Sequence, residues 1–170
     1  MVAKNQVDAV PDRSPELGFL LDKANALFTA RMNAAIADHG LHLGQALILE
    51  TLHSGPSDQA SLTQTYLSKL TGIEKSSLVL FLDDMEKRGW IQRQSHPSDR
   101  RAYVIALTNL GAKRHAAVSK VLLASEQEIL SFLTKSQRGV FGEFLTELIK
   151  SLEQKRPESD VRKRHADIID

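Results

Sequence analysis

The chain of 170 residues contains no cysteine, which excludes disulfide bonds, thiolate metal ligands and thiol-based redox sensing. It has no run approaching about 18 consecutive apolar residues, so no membrane span is expected. The first residues lack the apolar block of a secretory signal, which predicts a cytoplasmic location. Phosphate-binding glycine loops, nucleophile elbows and paired catalytic carboxylates are also missing, so no enzyme, cofactor or metal is expected.

Positive charge is unevenly distributed along a chain whose formal net charge is only +1. Between Lys87 and Arg114 there are seven Lys or Arg residues and one acid, Asp99. A basic segment inside a near-neutral chain is typical of a surface that docks on a polyanion such as nucleic acid. The alternative is a solvated surface that is basic without a partner.

Two helices are predicted in the first third of the chain. Ser14-Pro15-Glu16 has the composition of a helix start, and an apolar stripe at three- and four-residue spacing follows from Leu17 to Phe28. Gly40 is the predicted stop in the left-handed conformation. A second helix is predicted from Leu43 to His53, before Gly55-Pro56.

The stretch SLTQTYLSKLTGIEKSSLVLFLDDMEKRGW predicts a helix-turn-helix. Its two helices are expected at about Thr63–Leu70 and Lys75–Arg88, joined by a short turn that contains Gly72. Any helical hairpin can show this pattern, but two short β-type runs, WIQRQS and RAYVIAL, follow at once on either side of HPSDR. A helix-turn-helix followed by a β-hairpin predicts a winged helix. Taken alone, the hairpin turn at HPSDR would be interpreted as an ordinary solvated turn with a local ion pair.

Two long helices are predicted after the hairpin, one from Asn109 to Phe132 capped by Thr108, and one opened by a capping box of Thr134 and Gln137. The predicted fold is therefore mainly α with a small β-hairpin wing: a winged helix-turn-helix at about 43–108 and a helical dimerisation base at about 15–39 and 109–154. Residues 1–13 are read as a flexible arm and 155–170 as a charged tail, so that 14–154 form one domain. The long apolar stripes predict a homodimer; a monomeric helical bundle is the alternative.

The order of these elements resembles the MarR family of transcriptional regulators. The wing pattern of that family is an acid, one residue, an arginine, then a strand ending in Leu-Thr-x-x-Gly, and Asp99, Arg101 and the run Leu107–Gly111 match it. The run Glu86–Gly89 before the wing matches as well, and the resemblance covers roughly residues 15–152. It implies a dimeric, sequence-specific double-stranded DNA-binding protein that mostly represses, with the second helix of the motif in the major groove and the wing in the adjacent minor groove.

Candidate DNA contacts fall on the predicted recognition helix and the helix before it. Lys75, Ser76 and Ser77 occupy the first turn, where unpaired backbone N–H groups and the helix dipole favour phosphate. Val79 and Leu80 are at the centre of the helix, where Val79 can contact a thymine methyl group. Supporting phosphate contacts are expected from four further residues: Thr63, Gln64, Lys69 and Arg93.

At the wing, Arg101 is the expected minor-groove probe, because a guanidinium is drawn to the negative potential of a narrow groove. Asp99 is expected to orient Arg101 through an ion pair, and Arg100 to face a phosphate. His96 and Ser98 are expected as flanking contacts.

Val79, Leu80 and Asp84 depart from the small polar and basic residues that the family often carries there, and the segment Glu74–Arg88 has a charge sum of −1. They motivate an alternative function, a winged-helix protein-interaction adaptor with weak or non-specific DNA binding. The family also implies a small aromatic or anionic effector in a cleft between the dimer base and the reading head. Four residues are candidates for that cleft, although core or surface roles are the alternative for each: Arg31, His39, His42 and Tyr66.

Overall fold

The computed structural model describes residues 14–55, 62–99 and 102–154. Along these ranges the chain forms α1 (Ser14–Ala35), a 3-10 helix (Ala37–His39), α2 (Leu43–Ser54), α3 (Gln64–Thr71), α4 (Lys75–Lys87), β1 (Ile91–Ser95), β2 (Tyr103–Leu107), α5 (Asn109–Ile129) and α6 (Lys135–Gln154). The order of elements is the predicted one: helices, a helix-turn-helix, a hairpin and two long helices.

The end of α1 differs from the prediction. The helix stops at Ala35 instead of continuing to Gly40, because Ile36 leaves the helical conformation and the chain tightens into the 3-10 helix. Gly40, with φ of 65°, then closes this short helix by donating its N–H to the carbonyl of Ala37 at 2.8 Å. Gly40 is thus the predicted stop, but of the 3-10 helix. The end of α5 also differs from the prediction: the sequence placed it at Phe132, whereas the helix ends at Ile129.

Side chains satisfy the free N–H groups at several helix starts, as the sequence predicts. Thr108 Oγ1 accepts from the N–H of Gly111 at 3.0 Å and so caps α5. Thr134 and Gln137 form the predicted capping box, with the Gln137 side chain accepting from the Thr134 N–H at 2.9 Å and the Thr134 hydroxyl accepting in return at 3.3 Å. Such caps contribute about 1 kcal/mol each.

The two strands pair antiparallel, with a register that runs from Ile91 opposite Leu107 to Ser95 opposite Tyr103. The segment before α3 extends this hairpin, because the N–H of Ile105 donates to the carbonyl of Leu62 at 2.9 Å. Val104 and Ile105 are both buried. Since neighbouring strand residues point to opposite faces, β2 is covered on both sides at this point.

The first of two compact units ends at Gln127, and its core lies beneath the helix-turn-helix. Residues buried to 2% exposure or less come from α2, α3, α4, both strands and α5; they include Ile48, Leu49, Leu67, Leu78, Leu82, Met85, Ile91, Ile105 and Val118. Burying a side chain of this size stabilises the fold by roughly 1.5–3 kcal/mol. The core therefore fixes α3, α4 and the hairpin on one support.

Large apolar side chains remain exposed on two of the long helices. On α1 they are Leu17, Phe19, Leu20, Leu21 and Leu27. The second unit begins at Glu128. Its helix α6 has no buried residue and exposes Val140, Phe141, Phe144, Leu148, Ile149 and Leu152. Exposed apolar patches of this kind mark surfaces that associate with a partner.

Candidate nucleic-acid interface

The turn between α3 and α4 is built by local hydrogen bonds. Gly72 adopts a left-handed conformation, with φ of 69°, and its N–H donates to the carbonyl of Ser68 at 3.1 Å. The Ser68 hydroxyl in turn donates to the carbonyl of Ile73 at 2.9 Å. The predicted glycine turn is therefore confirmed, and it fixes the angle at which α4 leaves α3.

One face of α4 packs into the core and the other is open. Leu78, Leu82 and Met85 are fully buried. On the opposite face Lys75 and Ser76 are exposed, Val79 is 37% exposed and Leu80 is 69% exposed. The residues predicted to read bases thus share the surface that points away from the core.

Glu74 caps the N-terminus of α4. Its carboxylate accepts hydrogen bonds from the N–H groups of Ser76, at 3.0 Å, and Ser77, at 3.4 Å, and from the Ser76 hydroxyl. Hydrogen bonds from the Ser76 side chain and then from its backbone lower the pKa of Glu74. Of the N–H groups expected to face phosphate in this first turn, those of Ser76 and Ser77 are bound by the protein's own carboxylate.

The other acids of α4 are held by partners within the protein. Asp84 accepts from Gln45 Nε2 at 2.7 Å and pairs with Arg88 Nε at 2.8 Å. Because Gln45 is buried in α2, Asp84 joins α4 to α2 instead of facing a ligand. The carboxylates of Asp83, Asp84 and Glu86 are thus paired within the protein, whereas that of Glu74 lies beside Lys75 at the start of α4.

Arg93, predicted as a phosphate contact, connects the hairpin to α4. Its guanidinium pairs with Asp83 at 2.6 Å and with Glu86 at 2.5 Å, and its backbone N–H donates to Glu86 Oε1 at 3.0 Å. Partial burial opposes the charged form of Arg93, but the hydrogen bonds to Asp83 and Glu86 outweigh it and raise the pKa. This guanidinium is therefore engaged by two carboxylates of α4, and a phosphate contact by Arg93 stays a prediction.

Two further cations of the basic segment lie on the ring of Trp90. The guanidinium carbons of Arg88 and Arg114 are 4.9 Å and 5.2 Å from the ring centroid. Arg88 also donates from Nη1 to the carbonyl of Gly40 at 2.8 Å. Cation–π contacts of this type stabilise a fold, so part of the basic segment serves structure.

The turn of the wing is organised by His96. Its Nδ1 accepts from the backbone N–H groups of Ser98, at 3.2 Å, and Asp99, at 3.1 Å. The N–H of Ala102 donates to the carbonyl of Asp99 at 3.1 Å, which closes the turn. Arg100 and Arg101, with the predicted ion pair to Asp99, lie outside the described residues, so the roles assigned to them stay predictions.

The supporting residues before α4 have different positions. Thr63 is the N-cap of α3, where its hydroxyl accepts from the N–H of Tyr66 at 3.3 Å. Lys69 is exposed on α3 and Gln64 is half-buried in its first turn. A DNA contact by these three residues stays a prediction.

The four predicted effector residues lie on four different elements of the fold. His42 is the N-cap of α2, accepting from the N–H of Gly44 at 3.0 Å, and its ring stacks on Phe81 with centroids 5.0 Å apart. Tyr66 packs against the core, His39 is in the 3-10 helix and Arg31 is exposed on α1. Their role in ligand binding stays a prediction.

A cavity that the sequence did not indicate lies between α2 and α5 and is lined in part by Glu50 and His115. These residues are 65 positions apart, and no local pattern links them. In the described ranges, no group of three or more His, Cys, Asp or Glu residues is arranged to hold a metal ion. None of the helices described is both long and apolar enough to cross a membrane.

A helix-turn-helix whose second helix is held against a β-hairpin defines a winged helix-turn-helix protein. Residues 39–102 match the model of the MarR family. A MarR family transcriptional regulator from Rhodococcus sp. RHA1 superposes with a TM-score of 0.72 at 20% identity, covering 81% of this chain and 95% of that one. The chain therefore has the fold of these regulators, and its winged helix-turn-helix segment is similar to the MarR family.

Two other solved structures share the fold. A mutant MarR from E. coli in complex with operator DNA has a TM-score of 0.69 at 22% identity, with 78% of this chain and 93% of that chain covered. A MarR family protein of Mycobacterium tuberculosis in complex with salicylic acid has a TM-score of 0.62 at 25% identity, with 78% and 95% covered.

Proposed function

We propose that this protein is a dimeric, sequence-specific double-stranded DNA-binding transcriptional regulator, a repressor that a small-molecule effector releases from its operator. The observation that carries the proposal is the open face of α4, where Lys75, Ser76, Val79 and Leu80 lie together while the acids of the helix are engaged elsewhere. A helix presented in this way fits the major groove, whose base edges and thymine methyl groups it can contact.

Attachment of the wing to α4 supports the second half of this interface. Because Arg93 is held by Asp83 and Glu86, the hairpin has a fixed direction relative to the recognition helix α4. Arg101 at the wing tip is then the minor-groove probe, Asp99 its positioning residue and Arg100 a phosphate contact. The operator complex of the E. coli protein supports DNA as the partner.

The dimer and the effector are proposed on separate grounds. The exposed apolar residues of α1 and α6 support a homodimer, because a second copy of the chain is the cover that symmetric assembly provides. In this assignment residues 14–154 form one functional domain, with the reading head at about 43–108, in a protein that acts on the nucleoid in the cytoplasm. The salicylic acid complex of the Mycobacterium tuberculosis relative supports regulation by a small molecule.

An adaptor that binds proteins through the winged fold is the second candidate. The exposure of Val79 and Leu80 favours it, because apolar side chains at this point suit a protein surface as well as a thymine methyl group. Asp84 no longer argues for it, since that carboxylate is turned to Gln45 and Arg88.

DNA titration separates the two functions. Labelled DNA from upstream of the protein's own gene is compared with random DNA of equal length at several salt concentrations. A regulator prefers its site by about 10³-fold or more and shows a steep fall of affinity with salt, because bound phosphates release counterions. Equal affinity for both DNAs contradicts specific regulation and leaves the adaptor.

The wing is tested with one substitution in the same titration. Arg101→Ala is expected to weaken specific binding by roughly 1–3 kcal/mol. Lys113→Ala, which removes a basic residue of the same segment on α5, serves as the control for a general loss of charge. An unchanged affinity after Arg101→Ala removes the wing from the proposed mechanism.

A further inference from the structure

The cavity between α2 and α5 has a volume of about 310 Å³, which lies within the range of small-molecule sites. Most of its wall is apolar and comes from both helices, with Ala46 and Leu49 on α2 and Val118 and Leu122 on α5. Leu49 and Val118 belong to the buried core. The base of the cavity is therefore built on fixed side chains and has the shape of a preformed site.

The ionisable groups of the cavity are two carboxylates and the imidazole of His115, which pairs with one of them. Glu50 and Glu126 line it, and among its described lining residues none is Lys or Arg. Glu126 is exposed and has no ion pair or hydrogen bond among the described residues. A negatively charged ligand would meet two acids here without an arginine or lysine to balance it.

Glu50 remains ionised in this setting. Its Oε2 is 2.6 Å from Nε2 of His115, and its Oε1 accepts from the Ser54 hydroxyl at 2.7 Å. The hydrogen bond from His115, followed by that from Ser54, lowers the pKa of Glu50. His115 is in turn stacked on His53, with ring centroids 4.2 Å apart, and Ser119 Oγ lies 3.1 Å from its Nε2.

We propose that this cavity binds a small lipophilic monocation, a molecule with an apolar body and one amine or amidine group directed at Glu126 and Glu50. The apolar walls accept the body, and the two carboxylates set the sign of the charge. The expectation of an anionic effector is thereby reversed for this site. Binding itself depends on the cavity alone, whereas its use as the release signal rests on the proposed function as a DNA-binding regulator.

Three shape-matched probes test the charge preference: benzamidine as the cation, benzamide as the neutral form and benzoate as the anion. Each is titrated into the full-length chain by calorimetry at neutral pH and moderate salt. Benzamidine is expected to bind about tenfold more tightly than benzoate, with benzamide between them, because partly exposed charge interactions of both signs contribute.

Glu126→Gln is the decisive variant, since this exposed side chain supports no other described contact. It is expected to weaken benzamidine binding by about fivefold and to leave benzamide binding within about twofold. Glu143→Gln on α6 makes the same change outside the lining residues and is expected to alter neither affinity. Glu50→Gln should act like Glu126→Gln, with its unfolding curve measured alongside.

Benzoate binding as tightly as benzamidine, no saturable binding of any probe, or an unchanged benzamidine affinity in Glu126→Gln each overturns the proposal. DNA release is measured separately on the operator complex. If benzamidine binds selectively but no operator preference exists, the proposed function fails and the cavity assignment stands. If operator binding is specific and the probes show no selectivity, the cavity assignment fails and the proposed function stands.

Discussion

Arg93 on β1 connects the hairpin to α4 by pairing with two carboxylates of that helix. Replacing it with alanine leaves Glu86 and Asp83 without their common cation and keeps only the backbone N–H of residue 93 as its hydrogen bond to Glu86. We expect Arg93→Ala to lower the free energy of unfolding by about 1 kcal/mol, a value reduced by the partial exposure of all three side chains. We also expect weaker operator binding, measured by urea unfolding and DNA titration respectively.

Lysine at the same position separates charge from geometry. Arg93→Lys keeps the positive charge but cannot reach two carboxylates with a planar fork, so an intermediate loss is expected. Lys87→Ala, an exposed change at the end of α4, is the control for stability. Arg93→Ala with unaltered stability and operator affinity would show that the wing is positioned by other contacts.

Glu50 gives the protein a predictable response to acid. Because its pKa in the folded chain is lowered from 4.5, first by His115 and then by Ser54, its contacts stabilise the fold at pH values above 4.5. This contribution is lost as the pH falls below 4.5 and through the lowered folded value. Urea unfolding across this range should show a shallower loss of stability in Glu50→Gln than in the natural chain.

A parallel titration of Glu143→Gln controls for the removal of any carboxylate, and it should follow the natural chain. If Glu50→Gln and the natural chain lose stability with the same slope on acidification, the contacts of Glu50 with His115 and Ser54 do not act in solution.

Residue roles that depend on near neighbours in sequence were predictable. The caps formed by Thr108 and by Thr134 with Gln137 follow from spacings of three residues. The contacts that assign Arg93 and Asp84 could not be predicted, because Arg93 meets Asp83 across ten positions and Gln45 meets Asp84 across 39. From the sequence alone, a basic side chain that contacts DNA cannot be distinguished from one that pairs with a carboxylate distant in the chain.

At the scale of elements, the start of α5 packs directly on the backbone of Trp90, between α4 and β1, and on Leu107 of β2. A Cβ atom on Gly111 would lie 2.0 Å from the Trp90 carbonyl oxygen and 2.7 Å from Leu107, so the backbones would have to separate. We expect Gly111→Ala to destabilise the protein by about 1–3 kcal/mol, the usual range for overpacking, measured by thermal or urea unfolding.

Gly139 provides the matched control, because a Cβ atom there has nothing within 4 Å and the residue lies in the interior of α6. Gly139→Ala should be neutral or stabilising by roughly 0.5–1 kcal/mol, since alanine loses less backbone freedom in a helix. Two alanine substitutions with the same effect would contradict the close approach at Gly111.

The order and type of elements were predictable, because each has its own period and its own stop signals. The end of α1 was not, since the glycine at position 40 ends a 3-10 helix that has no apolar stripe to distinguish it from α1. The strand run RAYVIAL was predicted from its composition, yet the burial of both Val104 and Ile105 depends on the segment before α3, which the sequence pattern does not relate to β2.

At the scale of the whole molecule, the exposed apolar side chains of α1 and α6 support the proposed dimer. Phe144 on α6 is 70% exposed, and an aspartate there would place a charge in the proposed dimer interface. We expect sedimentation at micromolar concentration to give a dimer for the natural chain and a monomer for Phe144→Asp, because an unpaired buried charge is costly.

Lys150→Asp places the same negative charge on a side of α6 that carries none of these apolar residues, and should remain dimeric. A monomeric natural chain refutes the proposed assembly. A dimer that survives Phe144→Asp instead excludes this face of α6 from the interface.

Thr108 joins the start of α5 to the segment between α4 and β1. Its hydroxyl lies 2.7 Å from the Gly89 carbonyl and accepts the N–H of Gly111, while its own N–H donates to Trp90 at 3.1 Å. The first turn of α5 is thus anchored by hydrogen bonds to the segment between α4 and β1. A tilt of α5 that changes its distance from α2 would also move Thr108 and its contacts with Gly89 and Trp90. Such a movement can change the orientation of α4, which ends just before these residues.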